Sequence, residues 1–183
     1  MILSGAEIKQ AVQAGLVVID PFSENCVNPN SYNYHLGRTL KVLDEPMLEP
    51  LDDPPYREIT IPPDGIVLRP ERLYLGHTLE RIGSEYYVPS LIGRSSMGRL
   101  GVFLQVSADL GNLGAIHRWT LEIVVSQPIR LYRDMVVGQV SFWVPTGEKL
   151  SYNGYLGQFS EPKESPSWLL GVSKEVDDDF DRS

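Results

Sequence analysis

Hydrophobic positions follow a helical spacing at the N-terminal end of the chain. Apolar residues recur every four positions from Ile8 to Leu16, and Glu7 stands three residues after Ser4. A serine and a glutamate at this distance form a capping box, in which each side chain satisfies a backbone N–H at the helix start. Gly15 suits the other end, because glycine readily adopts the left-handed conformation found there. The pattern predicts one short amphipathic helix.

Short runs of strand-forming residues then follow one another, separated by Pro, Gly and Asp. The runs are TLKVL (39–43), REITI (57–61), GIVLRP (65–70), LYLGHTL (73–79), YYVPSLIG (86–93), VFLQVSA (102–108), RWTLEIVV (118–125), IRLY (129–132) and GQVSFWV (138–144). With 14 prolines and 16 glycines in the chain, this pattern indicates a mainly β fold, either a barrel or a sandwich. The stretch at 21–37 is rich in turn-forming residues and is predicted to be irregular.

The chain divides into two parts by composition. Residues 1–150 carry the predicted helix and strands, and by length they form one domain with a sizeable core. From about Tyr152 the sequence becomes rich in Gly, Ser and Pro, and it then turns acidic in KEVDDDFDRS. Residues 151–183 are therefore predicted to be a mobile C-terminal tail.

Charge and composition argue against several classes of protein. The net charge is −8, whereas sequence-independent binding of nucleic acid requires a basic face. No segment approaches the roughly 20 apolar residues that span a bilayer, and the N-terminus lacks the features of a signal peptide. The single cysteine, Cys26, cannot form an intrachain disulfide and fits a reducing compartment. We expect a cytoplasmic protein with no nucleic-acid or membrane partner.

The usual signatures of metal-dependent and nucleophilic catalysis are missing. The three histidines, His35, His77 and His117, are isolated in sequence from one another and from the cysteine. No spacing typical of a structural zinc site is therefore present. The zinc-deaminase motif, the Walker loop and the G-x-S-x-G motif are also absent. No resident metal ion is predicted.

Glu122 is the acidic residue of an otherwise apolar strand, RWTLEIVVS (118–126). Alternation places Leu121 and Ile123 on one face and Glu122 with Val124 on the other. Two interpretations stay open: this face meets solvent, or the carboxylate lies in a partly dry pocket. In a dry pocket the pKa of the carboxyl would rise toward neutrality, which suits a general acid or base.

The stretch LIGRSSMGRLGVFL (91–104) sets Arg94, Ser95, Ser96 and Arg99 among apolar residues and glycines. One interpretation is an exposed turn between two strands. The other is a phosphate site, because guanidinium groups bind oxygens bidentately and serines add hydrogen-bond donors. If Ser95 begins a short helical turn, its backbone amides would add to such a site.

The segment IGRSSMGRLGV (92–102), followed by TLEI (120–123), resembles the dCTP deaminase family within the trimeric dUTPase superfamily. Further segments that resemble the family, in family order, are NPNSYNYHLG (28–37), YRDMVVGQVSFW (132–143) and YLGQ (155–158). The resemblance covers most of residues 1–160. It implies a distorted, dUTPase-like β-barrel that assembles as a homotrimer with active sites between subunits.

The resemblance also implies a zinc-independent hydrolysis of dCTP to dUTP and ammonia. Glu122 matches the catalytic glutamate, which would activate the water that attacks C4 of cytosine. Arg99 matches an arginine that helps to hold this water. Ser95, together with Arg94 and Ser96, matches the group that binds the triphosphate. Magnesium would be bound through the substrate phosphates.

Further substrate contacts are implied at four positions. The backbone of Ala108 matches a contact to the base edge, and Gln139 lies in the late strand that lines the site. Tyr152 and Gln158 match tail residues that fold over the triphosphate.

The segment GNLGAIH (111–117) departs from the family pattern. Asn112 stands where an aspartate usually receives the sugar 3'-hydroxyl, and Ala115 replaces a bulky aromatic residue under the deoxyribose. His117 replaces a glycine. Further departures are Asn33, His35 and Gly154, in place of Asp, Arg and Lys. The hypothesis is that deamination is retained while the choice of cytosine nucleotide has changed.

Three other functions are compatible with these residues. The first is a dUTP diphosphatase, or a bifunctional enzyme that deaminates dCTP and then releases pyrophosphate. The second is a deaminase that acts on another cytosine nucleotide. The third is a non-catalytic nucleotide-binding protein, against which the presence of Glu122 and Arg99 argues.

Overall fold

The computed structural model describes residues 1–43, 55–104 and 108–148. Helix α1 (Gly5–Gln13) is capped as the sequence predicts, with the Ser4 hydroxyl accepting a hydrogen bond from the Glu7 backbone N–H at 3.3 Å. Gly15 follows the helix with a φ of 70°. The predicted N-terminal helix is confirmed.

The remaining regular structure is mainly β. The strands are β1 (Val18–Asp20), β2 (Tyr32–His35), β3 (Thr39–Leu43), β4 (Tyr56–Thr60), β5 (Ile66–Leu68), β6 (Tyr74–His77), β7 (Arg81–Gly83), β8 (Val88–Gly93), β9 (Val102–Phe103), β10 (Ile116–His117), β11 (Thr120–Val125), β12 (Ile129–Leu131) and β13 (Val136–Trp143). A second short helix, α2 (Ser95–Arg99), separates β8 from β9, and a 3₁₀ turn spans Glu24–Cys26.

The strands pair antiparallel in several small sheets. The largest has the order β4-β3-β6-β11-β9, and a second has the order β2-β13-β8. A third sheet joins β1, β7 and β10, while β5 pairs with β12. The core between them is apolar and includes the fully buried side chains of Tyr32, Tyr34 and Phe142.

Each predicted strand run contains an observed strand, but the prediction for residues 21–37 was wrong in part. Strand β2 forms there, with Tyr32 and Tyr34 buried and Asn33 and His35 half-buried. This alternation is typical of a strand with one face in the core. The surrounding Asn and Pro residues obscured it in the sequence.

Among the described residues, no helix is both long and apolar enough to cross a membrane. The predicted tail, residues 151–183, lies outside the described residues. The proposed boundary at residue 150 therefore stays a prediction.

Candidate active site

Helix α2 forms the centre of the candidate site. The backbone N–H groups of Met97 and Gly98 both donate to the Arg94 carbonyl oxygen, at 3.0 Å each. Met97 is buried and fixes the helix to the core, while Ser95 and Arg99 are exposed. Ser95 begins this short helix, which is the condition under which its backbone amides could add to a phosphate site.

A pocket of about 590 Å³ opens beside α2, where β8 ends and β9 begins. Its lining residues are Ile92, Gly93, Arg94, Ser95, Gly98, Val102, Phe103, Leu104, Val124 and Gln139. The lining is largely apolar, with one cation and two neutral polar side chains. A concave apolar surface with few convergent polar groups is the usual form of a small-molecule site.

Strand β11 brings Glu122 toward this pocket. Leu121, Ile123 and Val125 are buried, whereas Glu122 and Val124 lie on the opposite, half-buried face. Val124 lines the pocket and pairs with Phe103 of β9. Because alternate residues of a strand share a face, Glu122 lies on the pocket side of β11. It is not itself a lining residue of the pocket in the single chain.

Thr120 is a candidate site residue that the sequence did not single out. It shares the face of Glu122 and Val124 on β11. Within the described part of the chain, its Oγ1 atom is buried and has no hydrogen-bond partner. An unsatisfied buried hydroxyl is costly, by about 1–3 kcal/mol. A threonine one alternation away from a candidate catalytic acid is the signal that could have identified it.

Residues 109–111 lie beside the strand that leads into α2. The Leu91 N–H donates to the Asp109 carbonyl at 2.7 Å, and the Gly111 N–H donates to the Pro89 carbonyl at 2.8 Å. Ala108 and Asn112 flank this pairing and are both exposed. They are not lining residues of the pocket in the single chain.

Residues 111–117, the segment that differs from the family pattern, are anchored on Trp119. The indole N–H of Trp119 donates to the Ile82 carbonyl at 2.8 Å, and the His117 ring lies 4.2 Å from the Trp119 ring, centroid to centroid. A Cβ on Gly111 would come within 2.4 Å of the same indole. Both ends of the segment therefore rest on one aromatic ring, which sequence reasoning treated only as a strand residue.

Ala115 does not enlarge the pocket in the single chain. It is buried, and its carbonyl oxygen lies so close to Gly83 that a Cβ there would meet it at 2.0 Å. The segment thus packs closely on β7 from within the same chain. His117 is also buried, and this burial lowers the pKa of its imidazole.

Asn33 and His35 of β2, which also differ from the family pattern, both have hydrogen-bond partners. The His35 backbone N–H donates to Glu80 Oε2 at 3.0 Å, and the His35 ring Nδ1 lies 2.5 Å from Glu80 Oε1. Glu80 is almost completely buried. The Asn33 side chain exchanges hydrogen bonds with Asn28. These residues support the sheet behind the pocket.

The single chain therefore brings together only part of the predicted site. Arg94, Ser95 and Gln139 line one pocket, and Glu122 approaches it from β11. The remaining described candidates, Ser96, Arg99, Ala108 and Asn112, are exposed outside the lining. Tyr152 and Gln158 lie outside the described residues.

The pocket has the donor set of an anion site. Arg94 and Ser95 offer a cation and a hydroxyl, and the lining residues include no carboxylate. Within the described ranges, no cluster of three His, Cys, Asp or Glu side chains could hold a metal ion. This donor set fits phosphate oxygens, so a magnesium ion fits here only as a companion of the phosphates.

Comparison with known proteins places these features in a family. The family model described as "dCTP deaminase-like" matches residues 2–144. A Clostridium acetobutylicum protein named "dCTP deaminase, dUMP-forming" is 44% identical over 93% of this chain and 96% of its own. A Hathewaya histolytica protein of the same name is 43% identical over 83% of this chain and 88% of its own. A Rhodopirellula baltica protein named "dCTP deaminase" is 40% identical over 81% of this chain and 74% of its own.

The fold is similar to that of a solved structure. The crystal structure of 2'-deoxycytidine 5'-triphosphate deaminase from Agrobacterium tumefaciens superimposes with a TM-score of 0.64 at 20% identity. The match covers 79% of this chain and only 48% of that chain. This likeness confirms the predicted mainly β fold with a short N-terminal helix.

Fold, pocket and relatives together define an enzyme of the hydrolase class. The chain belongs to the dCTP deaminase-like family. The family resemblance read from the sequence is thereby confirmed.

Proposed function

We propose that this protein deaminates dCTP by hydrolysis. The observation that carries the proposal is the pocket that joins Arg94 and Ser95 to the strand of Glu122. One end of this arrangement suits a triphosphate, and the other offers a carboxylate for proton transfer. The names of the relatives with 40–44% identity support the same substrate.

In the proposed mechanism Glu122 is the general base. Its carboxylate takes a proton from water while the oxygen attacks C4 of cytosine. The carboxyl then delivers this proton to N3, and a second transfer through Glu122 moves a proton from the new hydroxyl to the amino group. Ammonia leaves and a uracil ring remains, so dCTP and water give dUTP and ammonia. General acid–base catalysis of this kind contributes about 10²–10⁴-fold to a rate.

Arg99 is proposed to stabilise the negative charge that develops on the attacking oxygen. A guanidinium stays protonated at any working pH and is well suited to this role. Arg94, Ser95 and Ser96 are proposed to bind the triphosphate, with magnesium on its oxygens. No zinc ion takes part in the proposed reaction.

A homotrimer with sites between subunits is part of the proposal. Four apolar side chains around α2 and its flanking strands are exposed: Ile92, Leu100, Phe103 and Leu110. An exposed apolar surface of this kind is typical of a protein–protein interface. A neighbouring subunit would bring its own residues to a pocket that one chain leaves incomplete. A cytoplasmic location, with no nucleic-acid or membrane partner, also stays a proposal.

A second product is favoured by a specific observation. The relatives that are 44% and 43% identical are named as dUMP-forming. The alternative is therefore a bifunctional enzyme, in which a second water hydrolyses dUTP to dUMP and pyrophosphate. Asn112 argues modestly against it, because an amide lacks the charge of the aspartate usually found there.

Product analysis tests these proposals directly. Purified protein is incubated with magnesium and, separately, with dCTP, CTP, dCMP or dUTP, and the products are resolved by chromatography. Ammonia together with dUTP supports deamination alone, whereas ammonia, dUMP and pyrophosphate support the bifunctional enzyme. A strong preference for dCTP over CTP contradicts a changed choice of nucleotide at residues 111–117.

Three outcomes of the same assay would contradict the proposed function or its mechanism. Turnover of CTP or dCMP in place of dCTP would assign the protein to another cytosine nucleotide. Tight nucleotide binding with no turnover would assign it to the non-catalytic class. Activity that is lost on removal of zinc and restored by zinc would overturn the metal-free mechanism.

A further inference from the structure

A chain of polar side chains leads from the N-terminal region to the pocket. Asn28 Nδ2 donates to Asn33 Oδ1 at 2.9 Å and to Ser31 Oγ at 3.2 Å. Ser31 Oγ in turn donates to Gln139 Oε1 at 2.8 Å. Ser31 is only 6% exposed, so water competes little for these bonds. The chain ends at Gln139, which lines the pocket.

Strand pairing in the β-sheet fixes where this row of hydrogen-bonded side chains ends. On β13, Gln139 pairs with Asn33 of β2 on one side and with Ile92 of β8 on the other. Residues directly opposite one another in a sheet project to the same face. Gln139 therefore lies between Asn33 of β2 and Ile92 of β8, one residue before Gly93.

The hydroxyl of Ser31 determines how the Gln139 amide is oriented. Because Ser31 Oγ accepts from Asn28, its own proton is available for Gln139 Oε1. Among the described residues, the Gln139 Nε2 group has no hydrogen-bond partner of its own. Its two N–H donors are thus left for a ligand in the pocket, whose lining also includes Arg94 and Ser95.

We propose that Ser31 is a positioning residue: it fixes the Gln139 amide so that its N–H donors meet an acceptor oxygen of the bound nucleotide. This inference rests on the proposed function and assigns a role to a residue remote from α2. Without the serine hydroxyl, the Gln139 amide has no fixed oxygen partner and can present its carbonyl to the pocket. A carbonyl oxygen would repel phosphate oxygens, so nucleotide binding weakens.

Kinetics of matched variants test the role of Ser31. We expect Ser31→Ala to raise the KM for dCTP by about three- to tenfold, the range of one ordinary hydrogen bond, with kcat nearly unchanged. Ser31→Thr retains the hydroxyl and should restore the low KM. Ser141→Ala removes a serine hydroxyl from the same strand as Gln139 without touching its amide, and it is the matched control. Melting temperatures verify that each variant folds.

A double-mutant cycle separates positioning from general support of the fold. In a Gln139→Ala background, Ser31→Ala should not raise KM further, since the group that it positions is gone. Equal effects in both backgrounds would overturn the inference. So would an unchanged KM in Ser31→Ala, or a raised KM in Ser31→Thr at an unchanged melting temperature.

A readout without substrate keeps this inference distinct from the proposed function. The Gln139 side-chain amide signals in a ¹H–¹⁵N spectrum, assigned with Gln139→Ala, should shift in Ser31→Ala and stay in place in Ser141→Ala. If the wild-type protein does not turn over dCTP, the proposed function fails while this test of amide orientation still stands. Unshifted signals in Ser31→Ala would overturn the inference even in an active enzyme.

Discussion

Glu122 is the ionisable residue of the otherwise largely apolar strand β11. Its face of β11 continues through Val124 into the pocket, which limits the water around it. We expect Glu122→Gln to lower kcat for dCTP by about 10²–10⁴-fold, because the amide has the same shape but cannot accept the proton of water. Ammonia release measures kcat, and calorimetric titration with dCTP checks that binding is retained.

The control for this variant is another glutamate. Glu85 is exposed in the turn between β7 and β8, and Glu85→Gln should turn over dCTP at the wild-type rate. Full activity in Glu122→Gln would remove this residue from the mechanism. A loss of dCTP binding in the same variant would instead assign it a role in substrate recognition.

Half-buried His77 and buried His117 make stability depend on pH. Burial lowers the pKa of both His77 and His117 in the folded protein, so each stays neutral where the unfolded chain already binds a proton. Their contribution to stability is fully present above the unfolded pKa of about 6.5 and is lost as the pH falls through the lower, folded pKa. Acidification below about pH 6.5 therefore favours unfolding.

Comparison with a non-titrating variant isolates this effect at one position. Between about pH 7.5 and pH 5.5, the wild type should lose more free energy of unfolding than His117→Gln. Urea titrations at fixed protein concentration measure both losses, and carboxylates that titrate in this range cancel in the comparison. Equal losses would mean that His117 binds a proton equally well in the folded and unfolded states, so that its pKa is not lowered.

At the scale of elements, the segment before β11 depends on close packing against one indole. We expect Gly111→Ala to destabilise the protein by about 1–3 kcal/mol, the usual effect of overpacking, because its Cβ would lie 2.4 Å from the Trp119 ring. The variant should also change the KM for dCTP, since Asn112 follows directly. Thermal unfolding and steady-state kinetics measure the two effects.

Gly98→Ala is the matched stability control for this prediction. A Cβ on Gly98 would meet no atom within 4 Å, and alanine favours a helix over glycine by about 1 kcal/mol. Its stability should therefore stay the same or rise. An equal loss in both variants would show that glycine is needed for backbone conformation, whatever the position of Trp119.

The elements differ in how far the sequence could predict them. Alternation along β11 placed Glu122 and Val124 on one face, and the structure has them there. The same rule missed β2, because Asn and Pro residues around Tyr32 indicate turns. The bond from Ser31 to Gln139 joins residues 108 positions apart, and the contact of Gly111 with Trp119 depends on how the intervening segment folds back. No local pattern encodes such contacts, since they depend on how strands pair in three dimensions.

At the scale of the whole molecule, the family resemblance predicts active sites that lie between subunits. Arg94, Ser95 and Gln139 line one pocket, while Arg99 and Asn112 are exposed and do not line it. In the proposed trimer, a neighbouring subunit supplies the missing side of the pocket. The exposed apolar surface near α2 is where such a neighbour would pack.

We therefore expect light scattering to give a mass three times that of the 20.5 kDa chain. Leu110, which is 68% exposed beside β8, should be a contact in the trimer. Leu110→Asp would place a charge in this apolar interface and should lower both the assembled fraction and the turnover of dCTP. Val67→Asp adds the same charge at an exposed apolar position of β5 and should leave assembly unchanged. A fully active monomer would contradict the shared site, because one chain would then suffice for catalysis.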